Sequence, residues 1–443
     1  MAQSKSTQDV KIPKRILDAL LLSLSAGVVP RSGAPYIAIG RNEEIDALLD
    51  NLQTVEDGGA AIRFLIGRYG SGKSFLMQLI RGNALDRGFL TADADLSPER
   101  KLCGGNGVAT YRELMRNLAS KSCPDGAAMT AVLSRYYLQM KQGIVADGLL
   151  PEHSSFLPEL KKRIYAALSH LQGNVGGFDF SSALGLYYDA SISEDEEKKS
   201  AALRWLRGEF TTKTEAKRAM GIPVSTIVGD DNWYDYIKLW AEFSVLAGYK
   251  GLILFIDECV NLFKIANRLS REANYEKLLA IFNDTMQGRA AHIGVVFSGT
   301  PQFLEDTRRG LFSYEALKSR LADSKYQDMG YRNLTSPVIR LRTLSENELF
   351  ALLARLNKLW AQKYPDGRLP TPQQMQIFLA ESMSHVGTGE LITPREMIRN
   401  YLSLLAVMRD NDSATFEVLL RQNNQATPDV VSAEQEDLFD FQL

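Results

Sequence analysis

The chain is poor in the residues that build metal centres and disulfide frameworks. Its only cysteines are Cys103, Cys123 and Cys259, and its four histidines, His153, His170, His292 and His385, are equally scattered. None has the spacing of a metal site, and three separate thiols make no disulfide scaffold, so both classes are excluded as expectations. Long apolar runs are missing as well. None reaches the ~20 residues of a membrane span, and "MAQSKSTQDVKIPKR" lacks the apolar centre of a signal peptide. A cytoplasmic protein without membrane contact is therefore expected. Charge of one sign is also lacking: 51 Lys and Arg face 53 Asp and Glu, a net charge of −2. Any contact with DNA or RNA must then come from a local basic patch.

The 443 residues leave room for two or three domains and a sizeable core, and 45% hydrophobic with 23% charged residues is ordinary for a globular protein. The continuous apolar run "AIRFLIG" (61–67) reads as a strand buried on both faces, "GLILFIDE" (251–258) as another buried strand, and "FLTADADL" (89–96) and "HIGVVFSGT" (292–300) as further strands. They alternate with helical patterns, which predicts a parallel α/β sheet. Residues 1–35 read as a basic, partly helical lead-in. Residues 36–109 and 241–340 read as the core, and 110–240 as a mostly helical insertion with polar breaks at "SCPDGA", "QGNVGG" and "SISEDEEKKS". The last break is expected to be a solvated loop. Ser345 with Glu348, Thr371 with Gln374, and Thr393 with Glu396 form three capping boxes, which predicts a helical lid over 341–420. The acidic end, 421–443, reads as a flexible tail. Its "QEDLF" (435–439) partly matches a sliding-clamp-binding peptide.

The chemistry concentrates in a few places. "GRYGSGKSF" (67–75) fits a phosphate cradle between a buried strand and a helix. Gly67, Gly70 and Gly72 allow turns that side chains forbid, so that the amides of Arg68, Tyr69, Gly70, Ser71, Gly72, Lys73, Ser74 and Phe75 can wrap an anion at a helix N-terminus. Lys73 would reach the β- and γ-phosphates of ATP, and the Ser74 hydroxyl would ligate Mg²⁺. Asp257 and Glu258 end an apolar strand, where packing does not explain acids. Asp257 suits a hold on Mg²⁺, and Glu258 suits the base that orients or deprotonates water, which separates hydrolysis from mere binding. Ser298 and Thr300 end the next strand and would lie close to the γ-phosphate. Arg395 occupies the first turn of a capped helix, against the helix dipole, which points to an external anion. Arg308, Arg309 and Arg320 follow the last strand. "LRWLRGEFTTKTEAKRAMG" (203–221) gathers Arg204, Arg207, Lys213, Lys217 and Arg218 around Trp205, as a nucleic-acid patch or as an amphipathic helix.

The order of these elements resembles that of AAA+ ATPases. The resemblance implies that Gly40 and Arg41 of "IGRNEEIDALL" belong to an adenine element, that Thr300 or Ser298 is a polar sensor, that Arg320 is a finger reaching a neighbouring subunit, and that Arg395 is a second sensor in the lid. A homo-oligomer is then expected. Lys73 and Asp257 stand much farther apart than a compact AAA+ core needs, so the insertion carries the specific task. "GRYGSGKSFLMQLIR", "ADADLSPERKL", "TYRELMRNLA" and "RWLRGEFTTKTEAKRAMGI" further resemble the P-loop ATP-binding proteins of BREX antiphage systems, the BrxC/BrxD group, over roughly 10–410. That resemblance implies an ATPase working with other defence-system proteins and with DNA in reach. A DNA-handling motor or loader and a non-hydrolysing ATP switch are the two rival expectations.

Overall fold

A computed structural model describes residues 11–329, 331–384 and 393–425. The tail beyond 425, with its "QEDLF", lies outside the described residues. The chain divides into two compact units, one from Val29–Thr343 and one from the segments before and after it.

The larger unit is built on five parallel strands in the order β2-β3-β4-β1-β5. These are β1 (Ala60–Ile66), β2 (Leu90–Asp95), β3 (Leu252–Asp257), β4 (Ile293–Gly299) and β5 (Val338–Arg340). β3 and β4 are apolar along most of their length because both faces are covered, while Arg63 interrupts β1 and Asp93 and Asp95 interrupt β2. Alternation sorts the side chains: Ile62, Phe64, Leu254, Ile256, Val295 and Phe297 face one core, and Ala61, Leu65, Ile253, Phe255 and Val296 the other. Helices α1 (Lys14–Ser25), α2 (Asn42–Glu56) and α3 (Lys73–Arg87) come first in the chain, and α2 and α3 cover the second face. The short β5 was not anticipated from sequence. Three residues carry no period, and pairing with β1 alone defines the strand.

The first face is covered in part by the insertion and in part by residues 275–282 and 303–317. The insertion contributes α4 (Gly107–Arg116), α5 (Met129–Ala146), α6 (Phe156–Ser169), α7 (Gly177–Ser193), α8 (Glu196–Leu206), α9 (Lys213–Met220) and α10 (Trp233–Leu246). Their buried side chains join those of the sheet in one continuous cluster. Trp240 on α10 packs edge-on against Phe180 of α7 at 5.4 Å, and its Nε1 donates to the Tyr111 hydroxyl of α4 at 3.1 Å. The Asp230 carboxylate accepts the amides of Gly104, Gly105 and Gly107, fastening the end of the insertion to the loop after β2. "SISEDEEKKS", expected as a loop, is mostly helix. Asp195 caps α8 by accepting the Lys198 amide at 3.0 Å, and Glu196 and Glu197 occupy the first turn, where the dipole favours them.

The unit continues through α11 (Val260–Phe263), α12 (Arg268–Met286), α13 (Pro301–Glu305), α14 (Glu315–Leu321) and α15 (Lys325–Asp328). The other unit holds α1 with α16 (Glu346–Lys363), α17 (Pro372–Ser384), α18 (Pro394–Asp410) and α19 (Phe416–Gln425). Hydrogen bonds of all three capping boxes are present. Residues 14–25, read as part of a lead-in, form a helix of this unit. α1 buries Leu17, Leu20, Leu21 and Leu24, and Lys363 of α16 pairs with its Asp18 at 2.8 Å.

Because insertion and sheet share one core, Trp240→Ala should remove about 3–5 kcal/mol of stability. Amide exchange should rise in β2 and β3 together with the insertion. Unchanged protection of the two strands would refute the shared core.

Candidate functional site

In a parallel sheet every strand ends on the same edge, and here that edge gathers the polar residues. β1 runs out at Ile66, the chain turns through 67–72, and α3 begins at Lys73. Two glycines are needed for different reasons. Gly72 adopts φ 89° with open space around it, so conformation requires it. A Cβ at Gly67 would lie 2.3 Å from the Ser71 hydroxyl, so close approach requires it. The first amides of α3, at Lys73, Ser74 and Phe75, are those a helix leaves without intrahelical acceptors. With the helix dipole they form an anion site. Phe75 is half-buried against the second-face core, while Arg68 is exposed and Tyr69 is 77% exposed beside the turn.

The Lys73 ammonium lies across the loop and donates to the Gly67 carbonyl at 2.9 Å and the Arg68 carbonyl at 3.0 Å. Burial lowers its pKa, and Asp257 and Glu258 pull the other way. The Ser74 hydroxyl donates to Asp257 Oδ2 at 2.7 Å, across 183 residues of chain. Asp257 Oδ1 accepts the Glu258 amide at 2.8 Å. Glu258 is exposed and sits at φ 56°, a left-handed backbone that a glutamate adopts only under constraint.

A third acid joins them. Strand register pairs Asp95 with Asp257. The Asp95 carboxyl is raised above its usual pKa, first by burial and then by the charges of Asp257 and Glu258. Sequence reading passed over Asp95. Its only signal was an acid at the end of "ADAD", the same signal that marked Asp257. Among the described residues no cluster of three or more His, Cys, Asp or Glu could hold a metal by itself. The hydroxyl of Ser74 and the carboxylate of Asp257, in an acid-crowded corner facing an anion cradle, nevertheless fit Mg²⁺. That ion takes one or two protein oxygens and completes its shell with water and phosphate.

The two sensor candidates differ. The Thr300 hydroxyl caps α13 by accepting the Phe303 amide at 3.3 Å. Ser298 is fully buried, and its hydroxyl has no partner among the described residues. Alternation puts Ser298 on the same face as Val296, towards α3.

The arginines fall in separate places. Arg41, which follows Gly40 at φ 70°, is buried and donates to the carbonyls of Ser71 and Arg342. Its guanidinium is therefore directed into the protein. Arg320 is exposed and bonded to Asn283 and to the Ala316 carbonyl of its own helix. Arg309 lies over the Phe263 ring, and Arg308 is exposed. Arg395 is exposed in the first turn of α18, in the other unit. In the basic stretch of the insertion, Arg204 pairs with Glu215 at 2.9 Å and Arg207 with Glu209 at 2.7 Å, and Trp205 is buried. Lys213, Lys217 and Arg218 of the same stretch are exposed.

The parallel sheet with flanking helices is compatible with a P-loop core, and the class is that of an α/β nucleotide-binding fold. A family model described as "BREX system ATP-binding protein BrxC/D" matches residues 12–424. The chain belongs to that family. Membership points to an ATP-binding role in BREX defence, a multi-protein system. Comparison with curated proteins gives no match. Among the described residues no helix is long and apolar enough to cross a membrane.

The close approach at Gly67 gives a direct test. Gly67→Ala should weaken ATP binding by roughly tenfold or more, because the new methyl forces Ser71 and the loop amides to shift. Titration with a fluorescent ATP analogue reads it. Unchanged affinity would separate the cradle from nucleotide binding.

Proposed function

We propose that the protein is an AAA+-type ATPase of a BREX defence system. It binds ATP with Mg²⁺, hydrolyses it, and couples hydrolysis to the assembly or remodelling of a partner or DNA complex. The observation that carries the reading is the Ser74–Asp257 hydrogen bond, which joins the cradle to the acid strand with Glu258 beside it.

The roles follow from position. Loop amides and Lys73 hold the phosphates. Ser74 and Asp257 hold the metal, which when bound neutralises charge on the phosphate oxygens. Glu258 orients a water and accepts its proton at the carboxylate as the water oxygen bonds to the γ-phosphorus, whose bond to the β–γ bridging oxygen breaks and releases ADP with the electron pair. Strand β4, between the cradle strand and the acid strand, supplies the polar sensor. The unpartnered Ser298 hydroxyl favours Ser298 over Thr300. Exposed Arg320 suits a finger that completes a neighbour's site in a homo-oligomer, and Arg395, exposed in the first turn of α18, suits a second sensor that takes an anion. Exposure of both arginines supports these roles.

Lys73→Ala should abolish ATP binding. Glu258→Gln should bind ATP with near-normal affinity while turnover falls roughly 10²- to 10⁴-fold. Equilibrium binding and phosphate release measure the two. Normal turnover in the Glu258 variant would sink the catalytic assignment, and binding without turnover by the unmodified protein, partners and DNA present, would leave an ATP switch. ATPase activity stimulated by DNA and falling steeply with salt would make DNA the remodelled partner.

A further inference from the structure

Arg41 is a charged side chain only 5% exposed. Burying a guanidinium is costly unless its protons are used. One nitrogen, Nη2, donates to the Ser71 carbonyl at 2.9 Å and to the Arg342 carbonyl at 2.5 Å. Glu44, 1% exposed on its side chain, stands 3.6 Å from Nη1, and its Oε1 also accepts from Arg332.

The two carbonyls belong to different parts of the molecule. Ser71 lies inside the cradle turn, between Gly70 and Gly72. Arg342 lies just past β5, and the chain leaves this unit after Thr343. The segment 340–342 also runs along the root of the cradle. The Leu341 amide donates to the Ile66 carbonyl at 2.7 Å, and a Cβ on Gly67 would lie 3.2 Å from Leu341 Cβ.

We propose that Arg41 is a positioning residue for the phosphate cradle, and that it ties the state of the cradle to residues 340–343, through which the chain passes into the second unit. The proposal rests on the reading of 67–74 as an ATP cradle. Phosphate held by the loop amides fixes the peptide planes around Ser71. The Ser71 carbonyl is thereby fixed, and the guanidinium shared with the Arg342 carbonyl carries that order to the exit segment. Arg41 therefore acts on nucleotide through the cradle and needs no contact with the base. Lysine would keep a positive charge near Glu44, but it offers a compact ammonium in place of the rigid planar donor.

The test is hydrogen–deuterium exchange on the full chain with a non-hydrolysable ATP analogue and Mg²⁺, followed at residues 340–343. In the unmodified protein the analogue should slow exchange there by roughly tenfold or more. Arg41→Lys should bind the analogue roughly ten- to a hundredfold more weakly. At saturation the variant should keep the fast exchange of the nucleotide-free protein at 340–343, although its cradle is filled. A residue that merely stabilises the fold would leave that protection intact at saturation, so protection equal to the unmodified protein overturns the role of Arg41. If the lysine variant does not fold, the unmodified protein decides: analogue bound with unchanged exchange at 340–343 overturns the coupling. No analogue binding by the unmodified protein removes the ATP reading itself, and this proposal with it.

Discussion

The hydrogen bond from Ser74 to Asp257 is the constraint on which the site depends. It joins the first turn of α3 to the last residue of β3, and it exists only because the sheet is parallel. Parallel strands all end on one edge, so the turn after β1, the acids after β2 and β3 and the polar residues after β4 face one crevice. The order β2-β3-β4-β1-β5 fixes which groups become neighbours. β4 lies between β1 and β3, so the Ser298 hydroxyl stands between the cradle strand and the acid strand. The paired register of β2 and β3 does the same for Asp95 and Asp257.

The electrostatics of this edge are uneven. Lys73 and the positive end of α3 face Asp95, Asp257 and Glu258. Burial first, and then the charges of Asp257 and Glu258, hold the Asp95 carboxyl above its usual range. Lys73 answers only part of that charge, because it is one cation beside three acids and its ammonium donates to the Gly67 and Arg68 carbonyls. A divalent cation with oxygen ligands relieves the acids, and a polyphosphate satisfies the helix end. The two bound together suit the site better than either alone, which is the physical content of a Mg-ATP reading. Glu258 adds a conformational argument. Its left-handed backbone is maintained by the bond from its own amide to Asp257, so one carboxylate both anchors the helix and aims its neighbour.

Much of this was legible in the sequence, for identifiable reasons. β3 and β4 announced themselves because a strand covered on both faces is apolar along nearly all of its length, and β1 and β2 by shorter apolar runs broken at Arg63 and at Asp93. The cradle announced itself because its glycines are required residue by residue. The caps of the C-terminal helices were legible because a capping box is local. What stayed hidden depended on tertiary contacts. β5 is three residues long and is defined by its neighbour. α8 hid inside a charged run because Asp195 and the acids after it read as solvated polarity, when they are a cap and a first turn. The direction of Arg41 was unreadable, since both carbonyls that receive it are main-chain atoms and carry no residue identity. The basic stretch at 203–221 shows the converse. Its charges were plain, but the pairing of Arg204 and Arg207 with Glu215 and Glu209 of the same stretch was not, and only Lys213, Lys217 and Arg218 are left as exposed bases.

The insertion is the part whose composition said least, and its packing now says more. It shares a core with the sheet, so it is not a module hung on a linker. Its bond to the acid edge runs through the loop after β2. At one end of that loop the Leu96 amide donates to the Asp257 carbonyl at 3.0 Å, and its carbonyl accepts from Asn261 at 2.8 Å. At the other end the Leu102 amide donates to Asn274 at 2.8 Å, and three glycine amides are held by Asp230. Asp95 is the residue that opens this loop. The path from the acid edge to the insertion thus runs from Leu96 to Gly107, with polar anchors at each end.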